Sequence, residues 1–368
     1  MGLRQRTMET VGMSSEFDST YADRRVLVTG HTGFKGSWLC RWLERLGATV
    51  AGYSLAPPSS PSHHDLLAPA FRQWTADVRD SQTLTAACAE FQPEIVFHLA
   101  AQALVRQSYR EPLATFETNV AGTANLLEAC RRTDSVKAVV VVTTDKCYRN
   151  REWLWAYREN DELGGHDPYS ASKACAELVV ASYRDAFLRE RGVLVASARA
   201  GNVIGGGDWA DDRLIPDLVR AAVADEPLTV RNPQATRPWQ HVLEPLAGYL
   251  LLGRQLLAGR AECAEAWNFG PDASANLTVG EMVTRMGTHW PALRCQSPAL
   301  AAQPHEANLL MLDSTKARRL LGWQPVWDVG ETLARSAQWY RAFHEQGHVL
   351  TDEQIGTYAA TLAQGKGT

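Results

Sequence analysis

The stretch RVLVTGHTGFKG, residues 25–36, decides the fold class. Its β-branched first half predicts a strand that ends at a glycine, and the amphipathic run 37–47 (SWLCRWLERLG) predicts a helix that Gly47 stops. Gly30, Gly33 and Gly36 permit a tight turn at the start of this helix, where free N–H groups attract a pyrophosphate. Glycine spacing alone is weak evidence, because a tight turn without a ligand gives the same pattern.

Alternating strand and helix patterns continue along the first half of the chain. Apolar runs predict further strands at 49–55, 94–100, 137–145 and 193–205. Amphipathic runs predict helices at 83–91, 115–132 and 168–187, and a Pro/Ser-rich stretch predicts a loop at 56–65. The run KAVVVVTTD at 137–145 is typical of a strand that is buried on both faces of a parallel sheet. The pattern predicts an α/β fold with a Rossmann-type, doubly wound parallel sheet.

The second half of the chain alternates less strictly. Helical patterns separated by proline-containing loops lie at 213–223, 244–259, 279–290 and 315–323. We expect a smaller C-terminal substrate-binding lobe that closes over the carboxyl ends of the parallel strands, where ligands bind in such sheets. The predicted division is a polar N-terminal tail at 1–22, a nucleotide-binding domain at 23–201 with returning segments at about 238–270, and an interleaved lobe at 202–368. Regular structure is expected from Arg25 onward.

Composition and charge limit the class of protein. With 368 residues, 45% of them hydrophobic and 21% charged, the chain can form a large core. The net charge of −4 gives no electrostatic reason to expect nucleic acid or a membrane as partner. No apolar run approaches the roughly 20 residues that span a bilayer, and residues 1–22 lack the apolar core of a secretory signal. Seven dispersed cysteines without a CxxC pair favour reduced thiols over a disulfide framework or a metal site. We expect a soluble cytoplasmic protein without a metal.

The spacing Tyr169-x-x-x-Lys173 is a candidate catalytic pair. Residues four apart share one face of a helix, and an ammonium beside a phenol lowers the phenol pKa from about 10 toward the working range. Tyr169 could then take a proton from a sugar hydroxyl while a hydride leaves for a nicotinamide. The motif is common on surfaces, so its position after the strand at 137–145 gives it weight.

Further candidates surround these two motifs. Asp145 and Lys146, with Thr144, follow the apolar strand and form a candidate acid and base, or else a solvated ion pair. Lys35 could contact a phosphate, but we expect an exposed helix lysine. The second strand ends without an acidic residue for an adenosine ribose, which leaves NAD and NADP open.

These residues resemble the extended short-chain dehydrogenase/reductase family, which includes nucleotide-sugar dehydratases and epimerases. The resemblance runs from about Arg24 to about residue 345 and includes the strings VTGHTGFKGSWL, PEIVFHLAAQALVRQSY, TTDKCY, REWLWAYRENDELGGHDPYSASK and RAGNVIGGGDWADDRLIPD. Several strings are typical of the dehydratases that act on CDP-glucose. Related dTDP-glucose enzymes carry Asp-Glu where this chain has Asp145-Lys146.

The resemblance implies NAD as cofactor and CDP-glucose as substrate. Glycine-loop, adenine-side, ribose-side and nicotinamide-side contacts to NAD would come from Gly30, Gly33, Phe34, Gly36, Asp77, Val78, Leu99, Ala100, Ala101, Asn119, Tyr169 and Lys173. Contacts to the nucleotide sugar would come from Gln102, Asn202, Arg213, Arg237 and His305. Arg237 is the preferred phosphate clamp, because a guanidinium matches phosphate geometry.

The resemblance also implies a reaction in three steps. Tyr169, beside Thr144, takes the C4 hydroxyl proton while hydride passes from C4 to NAD, which leaves a ketone at C4. Lys146, directly or through a water, then takes the C5 proton while Asp145 protonates the departing C6 hydroxyl. Return of the hydride to C6 and reprotonation of C5 give CDP-4-keto-6-deoxyglucose, a precursor for deoxysugars of the lipopolysaccharide O-antigen type.

Two alternative functions remain open at this stage. A related dehydratase or an epimerase of another nucleotide sugar would share the tyrosine, and an epimerase needs no acid for C6. An NAD-binding scaffold or sensor would have no turnover at all. The resemblance implies a homodimer formed through helices around 112–132 and 168–190, although apolar faces of a monomer core would give the same pattern.

Overall fold

A seven-stranded parallel sheet forms the centre of the computed structural model, which describes residues 17–230, 232–296 and 310–364. The strands in chain order are β1 (Arg25–Thr29), β2 (Thr49–Ser54), β3 (Arg72–Thr75), β4 (Ile95–His98), β5 (Ala138–Val142), β6 (Leu194–Ala200), β7 (Val203–Ile204), β8 (Leu228–Thr229), β9 (Thr236–Pro238), β10 (Gln240–His241), β11 (Ala266–Phe269), β12 (Asn276–Thr278) and β13 (Cys295–Gln296). The order across the sheet is β3-β2-β1-β4-β5-β6-β11, and all neighbouring pairs are parallel. The predicted α/β, doubly wound sheet is confirmed.

Helices lie on both faces of this sheet and among the small sheets of the second half of the chain. They are α1 (Asp18–Tyr21), α2 (Phe34–Arg45), α3 (His63–Leu67), α4 (Ser81–Phe91), α5 (Val105–Arg110), α6 (Pro112–Phe116), α7 (Gly122–Arg131), α8 (Pro168–Tyr183), α9 (Leu214–Val223), α10 (Leu243–Leu257), α11 (Val279–Gly287), α12 (Val329–Gln346) and α13 (Thr351–Gln364). The π-helical turns Glu117–Ala121 and Arg184–Leu188 connect α6 to α7 and extend α8.

The strand β5 shows why the central strands are apolar throughout. All five of its residues are buried, because successive side chains of a strand point to opposite faces and both faces are covered. Val140 and Val142 join the core that contains residues of α2 and α10. Val139 and Val141 join the second core, which contains residues of α4, α7 and α8. The edge strand β3 is mostly exposed instead.

The second half of the chain builds three two-stranded sheets and returns to the central one. The small sheets pair β10 with β7, β12 with β9, and β13 with β8. Helix α10 packs on β5 and β6, and β11 becomes the edge strand beside β6. Two helices that the sequence patterns did not predict, α12 and α13, follow. Asp352 of α13 accepts two bonds from the Arg41 guanidinium of α2, at 2.7 and 2.6 Å.

The N-terminal boundary differs from the predicted one. Residues 1–22 were expected to form a polar tail, but Phe17 and Tyr21 are fully buried, and Tyr21 is the last residue of the short helix α1. The Phe17 ring contacts the Trp42 ring edge-on, with centroids 6.1 Å apart, and the Tyr21 hydroxyl donates to Leu250 O at 2.6 Å. The tail prediction is therefore wrong from residue 17, because two aromatic side chains one helical turn apart supply core contacts that the polar neighbours conceal.

Two smaller observations concern the predicted loop at 56–65 and the cysteines. Helix α3 begins inside that stretch, where the Ser62 side chain caps it by accepting from Asp65 N at 3.0 Å. All seven cysteines lie in the described residues and are unpaired, and five of them are buried.

Among the described helices, none has the length and apolarity to cross a membrane.

The packing of Phe17 gives a stability prediction. Phe17→Ala should lower the free energy of unfolding by about 3 kcal/mol, because it removes a buried aromatic side chain and leaves a cavity. Urea unfolding followed by tryptophan fluorescence measures this change. Leu320→Ala, at a position that is 66% exposed, is the matched control and should change stability by less than about 0.5 kcal/mol. Equal effects of the two substitutions would support the original prediction that residues 1–22 form a polar tail outside the core.

Candidate functional site

A large cleft lies at the carboxyl ends of the central strands. It encloses about 1800 Å³, and its walls come from the glycine loop, the segments after β4, β5 and β6, and the 205–217 loop. Pockets for one small molecule enclose about 300–1000 Å³. The cleft therefore has room for two ligands side by side, such as a cofactor and a substrate.

The glycine loop is held close to the segment that follows β4. Gly30 has a φ of +73°, and a Cβ there would lie 2.6 Å from Ala100 N, so this position excludes any side chain. A Cβ on Gly36 would lie 2.1 Å from Gly30 O, so the first turn of α2 rests directly on the loop. Gly30, Gly33, Phe34 and Gly36 all line the cleft. The N-terminus of α2 thus presents backbone N–H groups in a cradle that suits a pyrophosphate.

The predicted adenine-side residues line the cleft beyond β3. Tyr53, at the end of β2, is buried and its hydroxyl donates to Asp77 O at 2.9 Å. The Asp77 carboxylate accepts from the Arg79 guanidinium at 2.7 Å and from Arg79 N at 2.8 Å. These hydrogen bonds hold the pKa of Asp77 below its usual range. Val78 is buried beside it.

The segment after β4 forms part of the cleft wall, and Asn119 holds it in place. Leu99, Ala100, Ala101 and Gln102 line the cleft. Asn119 is fully buried behind this lining, and its amide is hydrogen-bonded inside the wall. It accepts from Gln102 N at 2.9 Å and donates to Gln102 O at 3.0 Å and to Ser172 Oγ at 2.8 Å. Asn119 therefore positions Gln102, and its expected contact with the nicotinamide end stays a prediction.

The end of β5 and the start of α8 bring the predicted catalytic residues together. Thr144, Asp145 and Tyr169 are buried and line the cleft. Thr144 Oγ1 donates to Asp145 Oδ1 at 2.9 Å and also hydrogen-bonds with the Tyr169 phenol. Gly201 makes room for the carboxylate, because a Cβ there would lie 2.8 Å from Asp145 Oδ2. A phenol, a hydroxyl and a carboxyl group thus share one wall.

Lys146 stands at the edge of this group. Its Nζ lies 4.0 Å from Asp145 Oδ1, and its side chain is 33% exposed against 2% for Asp145. A solvated ion pair would leave both groups in water, so the burial of Asp145 argues against that alternative. Both side chains leave the short 3₁₀ turn Asp145–Cys147, where Lys146 N donates to Thr144 Oγ1 at 3.3 Å.

The charge states of Tyr169 and Lys173 differ from the simple prediction. Burial raises the pKa of Tyr169 to about 12, and the Asp145 charge adds to this, whereas the Thr144 hydrogen bond and Arg213 oppose it. The protein alone therefore raises the phenol pKa instead of lowering it. Burial also lowers the pKa of Lys173 to about 8, and the negative charge of Glu177 opposes that fall. Lys173 Nζ donates to Val142 O at 3.3 Å.

The predicted substrate-side residues lie on the opposite wall. Asn202, Arg213 and Arg237 line the cleft. Arg213 Nη1 donates to Asp208 Oδ2 at 2.9 Å, and Arg237 Nη1 donates to Thr236 O at 2.8 Å. His305 lies outside the described residues.

Lys35 is a cleft residue that sequence reasoning missed. It was expected as an exposed helix lysine, but it is half-buried and lines the cleft, with Nζ 6.0 Å from the Tyr249 ring centroid. Burial lowers its pKa to about 7, and the Arg213 charge lowers it further. The signal was its place between Phe34 and Gly36 in the first turn of α2, where a side chain can turn toward the ligand side.

Comparisons with known proteins agree with this geometry. The family model described as GDP-mannose 4,6 dehydratase matches residues 27–336. A CDP-glucose 4,6-dehydratase from Salmonella typhimurium is 50% identical over 350 residues, which cover 93% of this chain and 98% of that protein. A dTDP-glucose 4,6-dehydratase from Streptomyces antibioticus is 29% identical and covers 86% of this chain and 92% of its own length.

Solved structures share the fold. DesIV, a dTDP-glucose 4,6-dehydratase from Streptomyces venezuelae solved with NAD and TYD bound, has a TM-score of 0.71 at 28% identity, covering 86% of this chain and 97% of its own. The UDP-glucose 4-epimerase of Thermus thermophilus, solved with NAD, has a TM-score of 0.74 at 25% identity, covering 86% of this chain and 99% of its own.

Proposed function

Because the chain belongs to the GDP-mannose 4,6 dehydratase family, we propose that it is an NAD-dependent nucleotide-sugar 4,6-dehydratase, a hydro-lyase, and that its substrate is CDP-glucose. The contrast in identity supports the nucleotide. The chain is 50% identical to a CDP-glucose enzyme over nearly all of both chains, but 23–29% identical to relatives that act on dTDP-glucose or UDP-glucose. The product is CDP-4-keto-6-deoxyglucose.

The cradle at the start of α2 fits the proposed cofactor. Gly30, Gly33, Phe34 and Gly36 would hold the pyrophosphate of NAD, and Asp77 with Val78 would face its adenine end. When bound, NAD supplies the acceptor for hydrogen from C4 and the donor for C6. Its cationic nicotinamide would add to the positive charge of Arg213 near the phenol, because a nearby positive charge favours the phenolate.

The protein's own residues perform the acid–base steps. Tyr169 takes the proton of the C4 hydroxyl as C4 becomes a ketone, and Thr144, hydrogen-bonded to the phenol, holds that hydroxyl. The ketone acidifies C5–H, and Lys146, directly or through a water that it holds, takes this proton. Asp145, as the carboxylic acid, protonates the departing C6 hydroxyl, and C5 is reprotonated when hydrogen returns to C6. Arg213 and Arg237 bind the diphosphate from the opposite wall.

One observation carries this proposal: Asp145 and Lys146 occupy the wall that also holds Thr144 and Tyr169. An epimerase needs a phenol that removes and returns a proton at C4, but it needs no acid for a leaving hydroxyl at C6. Asp145 is 2% exposed and hydrogen-bonded to Thr144. A carboxyl group therefore lies next to the threonine that holds the C4 hydroxyl. This second acid favours dehydration over epimerisation and over an idle NAD-binding scaffold.

We expect the purified protein to convert CDP-glucose into a sugar that absorbs in alkali as a 4-keto sugar. With substrate deuterated at C4, mass spectrometry should find the deuterium in the new C6 methyl group. The same assay with dTDP-, GDP- and UDP-glucose should give at least about tenfold lower kcat/KM, equal to about 1.4 kcal/mol of discrimination. A C4 epimer without alkaline absorption, or no turnover with any of the four, would overturn the proposal.

Two substitutions should separate the oxidation from the elimination. Tyr169→Phe should lower the rate of C4 oxidation by about 10²–10⁴-fold, because it removes the general base. Asp145→Asn should leave C4 oxidation intact but stall loss of water, so that reduced nicotinamide accumulates and absorbs in a stopped-flow trace. Arg341→Gln, at an exposed arginine of α12 that pairs with Glu345, is the control and should change neither step. Normal turnover by Asp145→Asn would disprove its role as the acid.

We also propose that the enzyme is a cytoplasmic homodimer that supplies deoxysugar precursors of the lipopolysaccharide O-antigen type. Large apolar side chains stand exposed on the helices expected at the dimer interface. They are Leu113 on α6, 77% exposed, Leu178 on α8, 59% exposed, and Phe187 in the following π-helical turn, 46% exposed. Exposed apolar groups that share neighbouring helices are typical of protein interfaces.

Leu178→Glu should convert the dimer to a monomer, because a charge would be buried in the contact. Sedimentation velocity at micromolar protein measures the change in mass. Leu320→Glu, at a similarly exposed leucine away from these helices, should leave the mass unchanged. A wild-type chain that sediments as a monomer at all concentrations would refute the dimer.

A further inference from the structure

A buried ion pair lies behind the catalytic helix. Glu177 of α8 accepts from Arg199 Nη2 of β6 at 2.7 Å, and the two side chains are 3% and 4% exposed. Arg199 also donates to the Tyr148 hydroxyl at 2.7 Å and to Glu159 O at 3.0 Å. Neither charged group reaches the cleft, and the reaction described above uses neither.

The Glu177 carboxylate joins the catalytic helix to the ends of two strands. Besides Arg199, it accepts from the Thr143 hydroxyl and from Ser197 Oγ, the latter at 2.7 Å. Thr143 directly precedes Thr144 and Asp145, and its backbone N–H donates to Ala198 O at 2.9 Å. One carboxylate therefore fixes where the reacting turn after β5 stands relative to α8.

The same carboxylate lies about one helical turn from Lys173 on α8, and its negative charge acts on the Lys173 ammonium. The titratable groups around Lys173 are Tyr169 and Glu177 on its own helix, Cys147 after β5, His98 at the end of β4, and Lys35 at the start of α2. Burial keeps the thiol of Cys147 and the imidazole of His98 neutral, because it raises the pKa of Cys147 and lowers the pKa of His98 to about 3. Among these groups Glu177 alone is ionised as an anion, since the Arg199 charge and the hydrogen bonds from Arg199, Thr143 and Ser197 offset its burial and hold its pKa below the usual range.

We propose that Glu177 is a positioning residue, which holds the turn after β5 against α8 and keeps the Lys173 ammonium charged beside Tyr169, the residue that takes the C4 hydroxyl proton; the inference rests on the proposed function. Tyr169, Lys173 and Glu177 follow one another at four-residue spacing on one buried face of α8. The charge of Glu177 thus acts on Tyr169 through Lys173, without contact with the substrate.

The charge is tested with the double variant Glu177→Gln/Arg199→Met, which removes both members of the pair and leaves no unpaired buried charge. Activity should fall at high pH when Lys173 loses its proton. In the double variant this alkaline limb of kcat/KM should move down by about one pH unit, because an opposite charge near an ionisable group shifts its pKa by one unit or more. Glu244→Gln, which removes another buried carboxylate far from the cleft, is the matched control and should leave the limb in place.

Trace labelling with acetic anhydride at graded pH gives a readout without substrate. Mass spectrometry of the peptide that contains Lys173 reports the pH at which this amine becomes reactive, and that pH should fall by about one unit in the double variant. If the wild-type enzyme oxidises no nucleotide sugar, the proposed function fails while this measurement still decides the effect of Glu177. A folded double variant with an unchanged labelling profile would overturn the inference.

The hydrogen bonds are tested by two substitutions that each remove one hydroxyl from Glu177 and keep every charge. Thr143→Val should lower kcat about tenfold with KM unchanged, because Thr143 precedes the reacting turn. Ser197→Ala removes a bond of the same kind from β6 and should lower kcat less than about twofold. These two milder variants test the inference even if the double variant does not fold. If Thr143→Val and Ser197→Ala lowered kcat by the same factor, Glu177 would have only a structural role.

Discussion

The contact of α8 with the ends of β5 and β6 is the constraint on which the site depends. A buried carboxylate costs several kcal/mol unless it is paired and hydrogen-bonded, and Arg199, Ser197 and Thr143 together offset this cost for Glu177. Any slide or rotation of α8 would break these bonds. The phenol of Tyr169, two turns earlier on the same helix, is thereby fixed opposite the turn after β5.

The parallel sheet extends this constraint across the cleft. Parallel strands end at one edge, so the glycine loop after β1, the wall after β4 and the reacting turn after β5 must lie side by side. The Gly30 backbone approaches Ala100 closely enough to exclude a side chain, and Asn119 fastens Gln102 to Ser172 of α8. Cofactor cradle and catalytic helix are therefore joined through one continuous wall, and a ligand in one part meets groups held by the other.

Sequence reasoning predicted the elements whose burial shows in the periodicity of their residues. It failed for side chains whose position depends on contacts between distant segments. The valine run of β5 and the glycines after β1 predicted the sheet, because only a doubly covered strand and a tight turn produce such patterns. Lys35 was placed wrongly, since a helical period does not say which polar side chain turns into a cleft. Sequence alone predicted that Tyr169 and Asp145 lie close together. Asp145 follows strand β5 and Tyr169 begins the next helix, α8, so the order of strand and helix brings the two residues to the same edge of the sheet.

The C-terminal helices explain how the two walls of the cleft are held at a fixed distance. On the substrate side, Tyr340 of α12 donates to Asp208 O at 2.8 Å and accepts from Asp208 N at 3.1 Å, and Asp208 in turn pairs with Arg213. On the cofactor side, Thr351 of α13 hydrogen-bonds with the buried His63, which lines the cleft. Because α12 and α13 are consecutive, one short stretch of chain braces both walls. The C-terminal helices would then set the spacing between a diphosphate bound to Arg213 and a dinucleotide bound at the glycine loop. This spacing gives α12 and α13 a structural role, although they lie far from any reacting atom.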